Sequence, residues 1–121
     1  MSASIVHESS NVYRLEVSGL LTKSDLDRAQ DVLTADIGNI PDGKVRVLVV
    51  LDQFHGWDDL GNWSDLTFFA RYGDRIERIA IVGDPRWRDH ALMFAAADLR
   101  RGPVEYFAAD AMPAARSWLA C

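Results

Sequence analysis

"KVRVLVVLD", residues 44 to 52, decides the fold class of this chain. It is a nearly continuous run of aliphatic and β-branched residues, which is typical of a strand buried on both faces of a sheet. "RIAIVGD" (78–84) has the same character, and each run is followed by a segment with helical spacing. Buried strands that alternate with helices predict a parallel sheet with right-handed crossover connections.

The N-terminal part of the chain predicts an antiparallel hairpin. In "NVYRLEVS" (11–18), Tyr13, Leu15 and Val17 alternate with polar residues, so that one face is apolar and the other is polar. Gly19 is expected to end this strand. A shorter strand, "SIVHE" (4–8), precedes it, and a Ser-Ser-Asn turn connects the two. This pattern favours a hairpin at one edge of the sheet.

Four amphipathic segments predict helices packed on the sheet. They run from the N-cap Thr22 to about Gly38, from Asp59 to Tyr72, from Pro85 to the Gly102-Pro103 stop, and onward from Asp110. A short strand, "VEYFA" (104–108), separates the last two helices. The expected order is therefore β-β-α-β-α-β-α-β-α, in a single α/β domain over residues 1–121.

Charge and composition exclude several classes of partner. The chain has 121 residues and a net charge of −5, and its 13 basic residues are scattered among 18 acidic ones. A nucleic-acid interface needs clustered basic residues, so we expect no nucleic acid as a partner. The single cysteine, Cys121, excludes an intrachain disulfide, and neither a signal peptide nor an apolar run long enough to span a membrane is visible. We therefore expect a cytoplasmic protein without a transmembrane segment.

Polar and aromatic residues follow the two buried strands at the point where each strand ends. In open α/β sheets, ligands bind beyond the carboxyl ends of the parallel strands. If the two strands are neighbours, these side chains share one rim. The candidates for binding a ligand or partner are Asp52, His55, Gly56 and Trp57 after the first strand, and Asp84, Trp87 and His90 after the second.

Metal binding and catalysis at this rim have weaker support. His55 and His90 with Asp52 or Asp84 could supply nitrogen and oxygen ligands, but no motif with metal-ligand spacing is present. Carboxylates at strand ends also accept hydrogen bonds from the N–H groups of a following helix, which needs no metal. The chain contains neither a nucleophile elbow nor a glycine-rich phosphate loop. We therefore predict no metal, no cofactor and no catalytic residue.

The tryptophans divide into two groups. Trp63, Trp87 and Trp118 fall on inward faces of the predicted helices, where core packing is expected. Trp57 follows Gly56 in a predicted loop, where helical periodicity does not account for it. It either plugs the end of the sheet or anchors a ligand or partner, and the sequence leaves both alternatives open.

Four stretches together resemble the SpoIIAA-like family, relatives of the STAS domains of anti-sigma factor antagonists. They are Asp52-x-x-x-Gly56-Trp57, "RIAIVGDPRW" (78–87), "VEYF" (104–107) and "AARSWL" (114–119). The resemblance implies a mixed sheet with helices packed on it, often in a dimer, and no assigned activity. The likeness of this family to CRAL-TRIO lipid-binding domains implies an apolar ligand. Antagonists carry a phosphorylatable serine after the central strand, but here no serine occurs in that region before Ser64, so that role is not carried over.

Three functions follow, in order of expectation. The first is a non-catalytic STAS-like module for protein interaction or regulation, a homodimer or a binder of another protein, with an exposed apolar patch centred on Trp57 or on helix residues 62–72. The second is a binder of a small apolar ligand such as a lipid or acyl chain. The third is an enzyme that uses the acidic and histidine side chains of the rim. The second requires a cavity near Phe68, Phe69, Met93 and Phe94.

Overall fold

The computed structural model describes residues 3–9, 11–39, 44–57, 75–94 and 103–120. Five strands form one sheet, and their order across the sheet is their order along the chain. The strands are β1 (Ala3–Ser9), β2 (Val12–Leu21), β3 (Val45–Trp57), β4 (Ile76–Gly83) and β5 (Val104–Ala108). The helices of the described residues are α1 (Lys23–Gly38), α2 (Arg88–Phe94) and α3 (Met112–Ala120), and a 3-10 turn at Pro85–Trp87 precedes α2.

The sheet is mixed, as the sequence predicts. β1 pairs with β2 in the antiparallel direction, whereas the β2–β3, β3–β4 and β4–β5 pairs are all parallel. The predicted N-terminal hairpin and α/β class are therefore confirmed. The helix expected between Asp59 and Tyr72, and the predicted extension of α2 beyond Phe94, lie outside the described residues. None of the described helices has the length and apolar character to cross a membrane.

Helices cover both faces of the sheet. On one face, α1 buries Leu33 and Ile37 in a cluster that contains Val47 of β3. On the other face, α3 buries Leu119 in a cluster that contains Leu48 of β3. Adjacent residues of β3 thus enter opposite cores, which explains why this strand is apolar without alternation.

The helix ends are held by specific hydrogen bonds. The Oγ1 atom of Thr22 accepts a hydrogen bond from the N–H of Asp25 at 3.2 Å, which is the predicted N-cap of α1. Neither α1 nor α3 has a basic residue in its last turn. Arginines that precede or lie in the sheet strands supply the missing donors: Arg75 donates to the Ile37 carbonyl, and Arg78 donates to a carbonyl at the end of α3.

β2 and β3 are longer than predicted. The sequence ends these strands near Ser18 and Asp52, but pairing continues as far as Leu21 and Trp57. Left-handed backbone at Gly19 (φ 60°), Gln53 (φ 51°) and Gly56 (φ 107°) accompanies register shifts in this part of the ladder. Such bulges let two strands stay paired while the chain bends. The predicted strand end at Gly19 and the predicted loop at 53–57 are therefore wrong.

Candidate functional site

A cleft lies at the carboxyl ends of β3 and β4, which are neighbours in the sheet. Its volume is about 390 Å³. The described residues that line it are Leu51, Asp52, Gln53, Phe54, His55, Asp84, Arg86, Trp87 and Ala109. Four of the seven predicted site residues, Asp52, His55, Asp84 and Trp87, therefore share one rim. That these side chains bind a ligand or partner stays a prediction.

Two bulges in β3 shape one wall of the cleft. Gly19 of β2 pairs with Phe54 and Leu20 pairs with Gly56, so Gln53 and His55 are extra residues in β3. Gln53 has a positive φ, which is uncommon for a residue with a side chain. Bulges also change the direction in which the side chains of a strand point. Gln53 and His55 are exposed in the cleft, whereas Phe54 between them is 3% exposed and enters the core.

An aromatic cluster lies at this end of the sheet, where the rings of Trp57 and Trp87 pack beside Gly56. The ring of Trp57 makes edge-to-face contacts with Phe54 at 4.9 Å and with Trp87 at 6.0 Å between centroids. A Cβ added to Gly56 would lie 3.5 Å from the Trp87 ring, which is an ordinary contact distance, so the positive φ of 107° is what favours glycine at this position. Trp57 is partly buried and packs against the cluster that contains Leu26. This packing fits the alternative that Trp57 plugs the end of the sheet, and its role in binding a ligand or partner stays a prediction.

Trp87 and His90 differ from their predicted surroundings. Trp87 is predicted on the inward face of a helix, but it ends the 3-10 turn and is only partly buried. His90 is exposed on α2, with its ring 6.0 Å from Trp57 and 6.5 Å from Trp87. It does not line the cleft with Asp52 and His55. Positioned acid–base chemistry by these three side chains would require them to converge, and this arrangement does not bring them together.

Asp84 has a structural role in the cleft. Its Oδ1 accepts a hydrogen bond from the backbone N–H of Arg86 at 2.9 Å, which starts the 3-10 turn. Its Oδ2 lies 4.0 Å from Nε of Arg86, whose guanidinium is 5.0 Å from the centroid of the Trp87 ring. The Tyr106 hydroxyl donates to the Asp84 carbonyl at 2.5 Å, and burial, then the charge of Asp84, raises the pKa of Tyr106 to about 12. This is the capping role that the sequence offers as the alternative to metal binding.

Asp52 differs from Asp84 in its electrostatic surroundings. Its side chain is exposed, and no basic residue in the described part of the chain forms an ion pair with it. Nor do the described residues contain a group of three or more His, Cys, Asp or Glu side chains placed to hold a metal ion. Asp52 is therefore the acidic group of the cleft that the described arginines leave without a counter-charge.

An apolar cavity of about 100 Å³ lies between α1 and the sheet. Gln30 is the single polar residue among the described residues that line it. Its lining includes Leu26, Ala29 and Leu33 of α1, Val49, Leu51, Phe54 and Trp57 of β3, and Ala91 of α2. Phe68 and Phe69, where a cavity was expected, lie outside the described residues, as do the side chains of Met93 and Phe94.

Sequence reasoning missed Gln53 and Arg86 as residues of the cleft. It also did not predict an apolar cavity between α1 and the sheet. Gln53 enters the cleft through a bulge that depends on pairing with β2, so it has no local signal. Arg86 carries a weak signal, because it stands between the strand-end Asp84 and the aromatic Trp87.

A five-stranded mixed sheet with helices on both faces and a cleft at its strand ends defines a small α/β domain. The family model described as SpoIIAA-like matches residues 12–120. The chain therefore belongs to the SpoIIAA-like family, as its sequence resemblance implies.

The comparison with solved structures found a protein that is similar along almost the whole chain. It is an uncharacterised protein of the DUF3478 family with a SpoIIAA-like fold, from Shewanella loihica PV-4. The two share a TM-score of 0.73 and 20% sequence identity, over 97% of this chain and 91% of that one. At this identity the likeness shows the fold. A search of curated proteins found no match.

Proposed function

We propose that this protein is a non-catalytic STAS-like domain that binds a small apolar ligand between α1 and the sheet. The cavity of about 100 Å³ carries the proposal, because its described lining is apolar apart from Gln30. Few polar groups there can replace the hydrogen bonds that water would lose, so water is a poor occupant. Of the functions expected from the sequence, apolar-ligand binding is thus the one that a specific observation supports.

The size of the cavity limits the ligand. Pockets for drug-sized molecules measure about 300–1,000 Å³. An engineered apolar cavity of about 150 Å³ stays dry and accepts benzene. A cavity of about 100 Å³ therefore suits a short alkyl or acyl chain.

A cavity-filling variant tests this function. Ala29 is 6% exposed and lines the cavity, so Ala29→Leu should occupy the space with its longer side chain. Ala35→Leu is the matched control, because Ala35 is exposed on the same helix. In an NMR titration with n-pentanol, the methyl resonances of Leu26, Leu33 and Val49 should shift saturably in the wild type and in Ala35→Leu. They should not shift in Ala29→Leu.

A second filling variant guards against a folding defect in the first. Ala91→Leu approaches the cavity from α2, and Ala91 is 5% exposed. Loss of binding in both folded variants would support the site. Saturable shifts that persist in both variants, or their absence from the wild type, would exclude it.

Protein interaction, a homodimer and a cytoplasmic location stay predictions of the sequence. The large apolar side chains exposed in the described residues, Val6, Leu20 and Val32, lie on three different elements. Single exposed apolar residues are common on monomeric proteins and do not define a patch. Size-exclusion chromatography with light scattering measures the oligomeric state directly.

A further inference from the structure

We propose that the ligand is a cationic amphiphile, with its alkyl chain in the apolar cavity and its charged head in the cleft. This inference rests on the proposed function and names the chemical class of its ligand. Leu51 and Phe54 line both the cavity and the cleft, so the two spaces adjoin at these side chains. A molecule that passes them places one end among apolar walls and the other among the polar groups at the strand ends.

The charges of the cleft select a cationic head. Arg86 and Asp84 already compensate each other, with 4.0 Å between Nε and Oδ2. Asp52 adds a carboxylate on the opposite strand, and no described basic side chain pairs with it. The cleft is therefore lined by two carboxylates and one guanidinium among the described residues, and this net negative charge favours a cation over an anion. The Arg86 guanidinium also lies 5.0 Å from the centroid of the Trp87 ring, so this cation already has two partners, whereas Asp52 has none among the described basic residues.

The small cavity makes a head group necessary for useful affinity. Burial of a chain of about five carbons supports a dissociation constant only on the order of millimolar, before the entropy of association is subtracted. Contacts outside the cavity must therefore supply the remaining affinity and the selectivity. The cleft is the adjoining polar space that can supply them, through Asp52, Gln53 and His55.

Three probes with the same alkyl chain separate the head from the tail. n-Pentylamine, n-pentanol and pentanoate present a cationic, a neutral and an anionic head. We expect the amine to bind most tightly and pentanoate most weakly in NMR titrations at low salt. The backbone resonances of Gln53 and His55 and the methyl resonances of Leu33 should shift with the same midpoint when the amine is added. Ethylamine, which has the head but only a short chain, should not shift the Leu33 methyls.

Asp52→Asn tests the head-group contact. It should weaken amine binding about threefold to fivefold, the upper part of the range expected for an exposed ion pair, and leave the affinity for n-pentanol unchanged. Asp89→Asn is the control, because it removes the same charge from an exposed position on α2 that does not line the cleft.

The outcomes distinguish this inference from the proposed function. Equal binding of the three probes, tightest binding of pentanoate, or equal effects of Asp52→Asn and Asp89→Asn would overturn the cationic head group. Pentanol binding that Ala29→Leu abolishes would still support the apolar site in each of these cases. If none of the three probes shifts the Leu33 methyls of the wild type, both the inference and the proposed function fail.

Discussion

Gly83, the last residue of β4, lies where three strands approach one another. A Cβ built on it would lie 2.9 Å from Cβ of Leu51, 3.0 Å from Cδ1 of Leu51 and 2.9 Å from the Tyr106 hydroxyl oxygen. The Cβ of Leu51 is attached to the backbone of β3, so it cannot move away without a shift of the strand. The absence of a side chain at Gly83 therefore lets Leu51 and the Tyr106 hydroxyl lie this close to β4 beside the cleft.

Gly83→Ala should lower the free energy of unfolding by about 1–3 kcal/mol, the usual cost of overpacking. Urea denaturation monitored by tryptophan fluorescence measures the change. Gly38→Ala is the control, because a Cβ at the end of α1 would meet nothing within 4 Å. A loss at Gly83 no larger than that at Gly38 would show that β3 and Tyr106 adjust freely.

At the scale of the elements, arginines of the sheet anchor the C-terminal end of α3. Arg78 of β4 donates from Nη1 to the Trp118 carbonyl at 2.8 Å, and its guanidinium lies 5.0 Å from the centroid of the Trp118 ring. Arg46 of β3 donates to the Leu119 carbonyl. The last carbonyls of a helix lack intrahelical partners and carry partial negative charge, so the two cations satisfy them and fix the helix on the sheet.

Arg78→Gln should destabilise the protein by about 1–2 kcal/mol, because it removes a charged hydrogen bond and a cation–π contact. Arg88→Gln is the comparison. Its guanidinium pairs with the neighbouring Asp89 on an exposed surface, so its removal should cost less than about 1 kcal/mol. Equal unfolding free energies for the two variants in urea would contradict an anchoring role of Arg78.

The sequence predicts those elements whose signals are local. The N-cap Thr22 fixes the start of α1, and the uninterrupted apolar run places β3 in the centre of the sheet. The lengths of β2 and β3 could not be predicted, because the bulge at Gln53 exists only through pairing with β2. The arginine caps were missed for a related reason, since Arg78 and Trp118 are 40 positions apart.

The candidate site was predictable in its location but not in its composition. The rule that ligands bind at strand ends correctly brings Asp52, His55, Asp84 and Trp87 together. The same rule wrongly places His90 in the cleft, because the position of His90 depends on the direction of α2 after the 3-10 turn. The apolar cavity depends on the simultaneous packing of many side chains, which a pattern of residue types does not determine.

At the scale of the whole molecule, two tyrosines link stability to alkaline pH. Tyr13 is 2% exposed and donates to Oδ2 of Asp36 at 3.0 Å. Burial, followed by this hydrogen bond and the Asp36 charge, raises the pKa of Tyr13 from its ordinary value of 10.0 to about 12. The pKa of Tyr106 is raised to about 12 mainly by burial as well. The folded state therefore holds both phenolic protons more tightly than the unfolded chain.

The sign of the pH dependence follows from these pKa values. Below pH 10 both states keep the protons, so the tyrosines cause no change in the free energy of unfolding. Between about pH 10 and pH 12 only the unfolded state loses them, so stability should fall, by on the order of 2 kcal/mol for the buried Tyr13 and less for the partly exposed Tyr106. Urea denaturation at several pH values should show a shallower fall for Tyr13→Phe. A fall as steep as that of the wild type would rule out this role of Tyr13.

The extension of β3 beyond β4 gives the molecule an unequal resistance to local opening. Residues 46–50 have ladder partners in both β2 and β4, whereas the described ladders join the segment 51–57 to β2 alone. A segment held on one side opens at a lower free energy than the sheet centre does. Leu51 and Phe54, which line both the cavity and the cleft, belong to this segment, so the ligand proposed above would enter by transient separation of this strand end. The rate of uptake and release of that ligand would then depend on this local opening and not on unfolding of the whole core.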